Sequence, residues 1–184
     1  MRRYDAAMPR FRWGLAAAVV LPACLLVPVA VQADRSPEAV AAAKRITPAG
    51  VGAVKLGMTA QQLRQQGLIG RLRRGCELAG PNARSARLLA PLSGSVDFST
   101  STPRRARTIV VRGGARARGV GIGARIRRIR AAFPRARVDH STDAQFGITL
   151  VKIPPNGGGR IQFAVDVGTK RTILIAVPRI PFCE

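Results

Sequence analysis

The chain is poor in the residues from which most active sites and stacking surfaces are built. Its 184 residues contain one histidine, one tryptophan, one tyrosine and nine Asp+Glu. Aromatics make up 4%, and Trp13 and Tyr4 both fall near the start, so little material remains for base-stacking platforms or aromatic hot spots. The acidic residues after the first thirty-three positions are Asp34, Glu38, Glu77, Asp97, Asp139, Asp143, Asp166 and Glu184. They are scattered, which excludes a calcium loop or a paired-carboxylate hydrolase. Gly119-Val120-Gly121-Ile122-Gly123 lacks dinucleotide-binding spacing, and no G-K-[ST] occurs. His140 lies beside Asp139, Ser141, Thr142 and Asp143, but neighbours on a strand end diverge, and a polar turn explains the string. Two thiols and one histidine fall short of a structural zinc set. No catalytic residue, cofactor or metal is therefore expected, and the protein is expected not to be an enzyme.

What is abundant is positive charge: 31 Lys+Arg give a net +22. Only Lys44, Lys55, Lys152 and Lys170 are lysines, a bias that genomic composition alone produces in part. Arg2, Arg3, Arg10 and Arg12 precede an uncharged run from Trp13 to Val31, closed by Val31-Gln32-Ala33 and Asp34. This order predicts a secretory signal peptide over 1–33, cleaved between Ala33 and Asp34. An uncleaved membrane anchor, or lipidation at Cys24 within Leu21-Pro22-Ala23-Cys24, are the alternatives, and all three place the body outside the cytoplasm. Cleavage leaves Cys76 and Cys183, and an exported chain with one pair of cysteines invites a structural disulfide between them.

The body reads as two copies of one unit. Leu56-Gly57-Met58-Thr59 through Leu63 aligns with Ile122-Gly123-Ala124-Arg125 through Ile129. Gly94-Ser95-Val96-Asp97-Phe98 aligns with Gly159-Arg160-Ile161-Gln162-Phe163, and Arg107–Val111 with Arg171–Ile175. Three matches in the same order at offsets of 66, 65 and 64 argue a tandem duplication. Thr59 and Gln62 form a capping-box pattern for one helix, and Ala124–Phe133, ended by Pro134, forms a second. Alternating Val96/Phe98, Ile109/Val111, Ile161/Phe163/Val165 and Ile173/Ile175/Val177 predict strands with one face buried. Weaker strands are predicted near 74–79, 86–90, 136–140 and 146–153. The expected fold class is α+β: two tandem helix-plus-antiparallel-meander repeats in one compact body. Its parts are a lead-in (34–45), repeat 1 (46–112), a hinge (113–118) and repeat 2 (119–184).

The phrase Val54-Lys55-Leu56-Gly57-Met58-Thr59, with Leu63 four residues on, resembles an exported superfamily. That superfamily includes the β-lactamase inhibitor protein and small protein A (BamE). The resemblance implies helices packed on antiparallel sheets of three or four strands and a non-catalytic binding role. Repeat 2 keeps Gly123 and Ile129 but has Ala124-Arg125 in place of Met-Thr. Phe98 and Phe163 read as core residues and not as a binding hot spot.

Two functions follow, and an exported hydrolase, which would need a converging polar pocket near His140, is the remaining alternative. The first is a binding module that recognises an envelope or extracellular protein through its sheet. The second is a basic module held on anionic glycopolymer or lipid headgroups. Its candidate residues are Arg71, Arg73, Arg74, Arg104, Arg105, Arg125, Arg127, Arg128 and Arg130. Specific nucleic-acid recognition is not expected, since aromatic interleaving is missing.

Overall fold

Period-two alternation of apolar and polar side chains sets most of the backbone. A computed structural model describes residues 44–155 and 160–182. The predicted leader with Cys24, Ala33 and Asp34, most of the lead-in, and Cys183 lie outside the described residues. Three short strands, β1 (Ile46–Thr47), β2 (Gly50–Val51) and β3 (Val54–Lys55), make a small antiparallel sheet. Helix α1 (Ala60–Gln65) follows, with the expected capping box: Thr59 accepts from the Gln62 amide, and the Gln62 side chain accepts from the Thr59 amide. Next come β4 (Ile69–Arg74), a 3-10 turn (Glu77–Ala79), β5 (Arg84–Leu88), β6 (Ser93–Phe98) and β7 (Ala106–Gly113). The rest runs α2 (Ile126–Ala132), β8 (Arg137–Asp139), α3 (Asp143–Phe146), β9 (Ile148–Ile153), β10 (Ile161–Asp166) and β11 (Thr172–Val177).

Strands β4 to β11 form one eight-stranded antiparallel sheet in the order β4-β5-β6-β7-β11-β10-β9-β8. The α+β expectation is overturned: the described chain is mostly β, with three short helices and two antiparallel sheets. Two physical causes are visible. The helices have six, seven and four residues and bury two, one and no side chains respectively, so they cannot cover a sheet. Strands β7 and β11 are not edges. Val111 pairs with Ile175, Val110 with Ala176 and Ile109 with Val177, which fuses the strands into a continuous sheet. The expected strand near 74–79 is also displaced: the strand ends at Arg74, and the 3-10 turn occupies 77–79.

One set of hydrogen bonds nonetheless recurs along the chain. Gly57 donates to Ala106 O and Gly123 to Thr172 O, both at 2.8 Å. Arg105 Nη1 donates to Gly57 O at 3.0 Å and Arg171 Nη1 to Gly123 O at 3.1 Å.

The main core lies on one face of the large sheet, where Leu63, Val96, Phe98, Ile109, Ile129, Phe163 and Ile175 pack with β1–β3 and the helices. A smaller cluster on the other face contains Val110, Leu150, Ala164, Leu174, Ala176 and Ile180. Ile180 belongs to the C-terminal tail, which Gln162 holds by accepting from the Ile180 amide at 2.9 Å. The expected solvent-facing side of β7 and β11 is therefore partly roofed. The segment 113–118 is tied down as well, since Arg116 bridges in parallel to Arg45.

Candidate functional site

The candidate arginines occupy three separate places. Arg71, Arg73 and Arg74 are exposed on β4, an edge strand of the large sheet among the described residues. Cations on an edge strand also oppose pairing with other chains. Arg125, Arg127, Arg128 and Arg130 surround the exposed side of α2, whose inward residue is Ile129. Arg104 and Arg105 precede β7 beside the start of α1. Arg105 is held on Gly57 O, and Arg104 has a buried Nε with no hydrogen-bond partner among the described residues. Strand β8, which follows α2, lies at the opposite sheet edge from β4, so these residues do not form one patch.

Internal neutralisation is sparse. Among the described residues, Lys or Arg pairs with a carboxylate only at Arg74–Glu77 (3.7 Å) and at Lys152–Asp139. The first pair is exposed on both sides and contributes little to stability.

Under the tail, a hollow of about 1050 Å³ is lined by residues that include Cys76, Asp97, Thr108, Arg107, Ile180 and Phe182. Cys76 is a disulfide cysteine. Stacking of Phe182 on Phe146 at 4.5 Å helps to fix the tail. Asp97 lies opposite Ser85 and Thr108 in the sheet and has no hydrogen-bond or ion-pair partner among the described residues. Burial pushes its carboxyl above the ordinary range. Its ionised form thus weakens the folded state, a penalty that grows as pH rises from the unfolded value toward the raised one. Asp97→Asn is expected to stabilise by about 1 kcal/mol at neutral pH. That gain should vanish in thermal melts at acid pH; a lower melting temperature at neutral pH would show that the charge is used.

His140 and Asp143 do meet, contrary to the expectation of diverging neighbours: His140 Nδ1 lies 2.7 Å from Asp143 Oδ2. The turn entering α3 brings these i,i+3 positions together. Thr149 Oγ1 donates to Asp143 Oδ1 at 2.8 Å. The Ser141 amide donates to Asp139 Oδ1 at 2.9 Å and the Thr142 hydroxyl to Ile148 O at 2.5 Å, and among the described residues no hydroxyl or thiol is hydrogen-bonded to the His140 ring. The His140 bond is the largest cause holding the Asp143 carboxyl below the usual range. Lys152 does the same for Asp139, and the Thr169 hydroxyl for Asp166. These three carboxylates support the fold above their unfolded values, and that support is lost as pH falls through about 4 and below. Among the described residues, no group of three or more His, Cys, Asp or Glu could hold a metal ion. No described helix is long and apolar enough to cross a membrane.

The described fold and surface define a small, arginine-rich, mostly β protein with a roofed sheet. Comparisons with family models, curated proteins and solved structures find no match.

Proposed function

We propose that the protein is an exported, non-catalytic binding module that attaches through its arginines to anionic polymer or headgroups of the cell envelope. The observation that carries this reading is the shortage of internal counter-charges: most exposed arginines have no carboxylate within ion-pair distance among the described residues. Surface guanidinium groups left in this state attract anions over about 10 Å at moderate salt. Their spread over β4, α2 and the approach to β7 suits a long flexible polyanion better than a compact ligand. The bridge at Cys76 is proposed to pair with Cys183, one residue beyond Phe182, which shares a hollow with Cys76. Non-reducing peptide mapping should recover these two cysteines linked; a Cys76 peptide linked elsewhere would refute that pairing.

A protein partner remains the second reading, at the β4 edge and not across the sheet. Leu78 and Leu89, 72% and 42% exposed, flank that edge and give an apolar contact. Salt separates the two readings. Retention on an immobilised anionic glycopolymer should fall by about tenfold or more between ~0.1 and ~0.5 M salt, where screening is strong. Replacing Arg71, Arg73 and Arg74 together with glutamine should weaken it further. Capture of one envelope protein that survives the high-salt wash, and is lost on Leu78→Ser, would favour the second reading.

A further inference from the structure

A second hollow, about 1000 Å³, opens between β1 and the chain leaving β7. Four cations line it: Lys44, Arg45, Arg116 and Arg118. Among the described residues no carboxylate lines it and none pairs with these four. Backbone bonds hold the cations together. The Ile46 amide donates to Arg116 O (2.8 Å) and the Arg116 amide to Lys44 O (2.9 Å), which sets Arg45 beside Arg116. Like charges side by side repel, so this arrangement is costly unless an anion joins it.

Arg118 adds an independent sign. Its φ is +46°, in the left-handed region that favours glycine. Sixty-six positions earlier, Gly52 opens the equivalent two-residue turn with φ +54°. Val51 pairs with Val54 around the first turn, and Ala117 with Val120 around the second. Glycine meets the demand without strain in the first turn, whereas the second keeps an arginine in a strained conformation. The Arg118 guanidinium lies 5.2 Å from the centroid of the Phe133 ring, which also lines the hollow. Much of the remaining lining is apolar: Ile46, Ile153, Ile161 and, 38% exposed, Ile122.

We propose that this hollow binds a single-chain amphipathic anion, a carboxylate on an aliphatic chain. The carboxylate sits among Arg45, Arg116 and Arg118, whose forked donors suit it, and the chain lies against Phe133, Ile153 and Ile161. The volume is at the upper end of small-ligand sites, roughly 300–1,000 Å³. A bare inorganic anion leaves the apolar lining unused, and a cationic amphiphile is repelled. None of these arginines is among those assigned to polymer attachment, so the two readings stand or fall separately.

The test is calorimetric titration of the purified protein with dodecanoate, below its micelle threshold, beside octanoate, acetate, phosphate and dodecyltrimethylammonium. One site is expected, with affinity rising by about fourfold or less per added methylene. Acetate, phosphate and the cationic amphiphile should not compete. The pair Arg116→Gln and Arg118→Asn should weaken dodecanoate at least about tenfold, as loss of two charge-assisted contacts does. Asparagine suits the left-handed turn, so the melting temperature should hold or rise. Ile122→Glu on the rim should weaken binding with the fold intact. The control pair Arg127→Gln and Arg128→Gln on α2 should leave dodecanoate binding unchanged while lowering retention on anionic polymer. Binding of many equivalents, absence of chain-length dependence, or equal weakening by the two arginine pairs would overturn the proposal.

Discussion

Phe163→Ala is expected to cost about 3–5 kcal/mol and to bring the protein close to unfolding at ambient temperature. Phe163 is fully buried on β10, with β9 and β11 on its flanks and the Phe133 ring 5.9 Å away. It sits between the large sheet and α2, so no single element can shift to fill the void. Denaturant unfolding monitored by circular dichroism gives the value directly. A cost below about 1.5 kcal/mol would mean that the site collapses around alanine or that the core is loosely packed. Phe98→Ala, at the matching place on β6, should fall in the same range, since Phe98 is also buried.

Gly94→Ala is expected to be at least as damaging, about 4 kcal/mol or more, although it adds a single methyl group. The backbone of Gly94 has φ +140°, and an added Cβ would lie 1.9 Å from the Val110 carbonyl oxygen. Val110 belongs to β7, held by β6 on one side and β11 on the other, so its carbonyl cannot retreat. The register of β6 on β7 also shifts between Ser93 and Gly94. Relief would require breaking that local pairing. Ser95→Ala on the same strand is the control and should change stability by within about 0.5 kcal/mol. Similar melting temperatures for the two variants would show that this close approach is absent in solution.

Much of the sheet was legible because alternation reports which face of a strand is buried. Val96 with Phe98, and Ile161 with Phe163 and Val165, were read correctly as core-facing. Alternation does not report which strand lies next door. The pairing of β7 with β11 depends on residues some sixty positions apart, and its sign was subtler: Val110 and Leu174-Ile175-Ala176 interrupt the alternation because both faces of these strands are covered. The α+β description came from setting one helix against a separate meander in each repeat, whereas the helices are short and the two meanders join through β7 and β11. The β4 strand was placed too late because Ile69-Gly70-Arg71-Leu72-Arg73-Arg74 carries few apolar residues and contains a register shift. The chemistry was less legible still. The repeat offset of 66 sets Arg118 opposite Gly52, but nothing in the spacing showed that this position takes a positive φ, or that Arg45 would sit beside Arg116.

The roof over the second sheet face comes from residues 178–182, which follow every strand of the sheet in the chain. Strand β7 is complete at Gly113, yet its partner β11 begins only at Thr172, and Ile180 covers the small cluster later still. A chain emerging from its N-terminus therefore carries an unpaired apolar edge on β7 until β11 has been made. Folding cannot finish piecemeal from front to back. A chain lacking Ile180 and Phe182 would leave Val110, Leu150 and Leu174 without their cover, so the second face of the sheet is finished by a segment outside it.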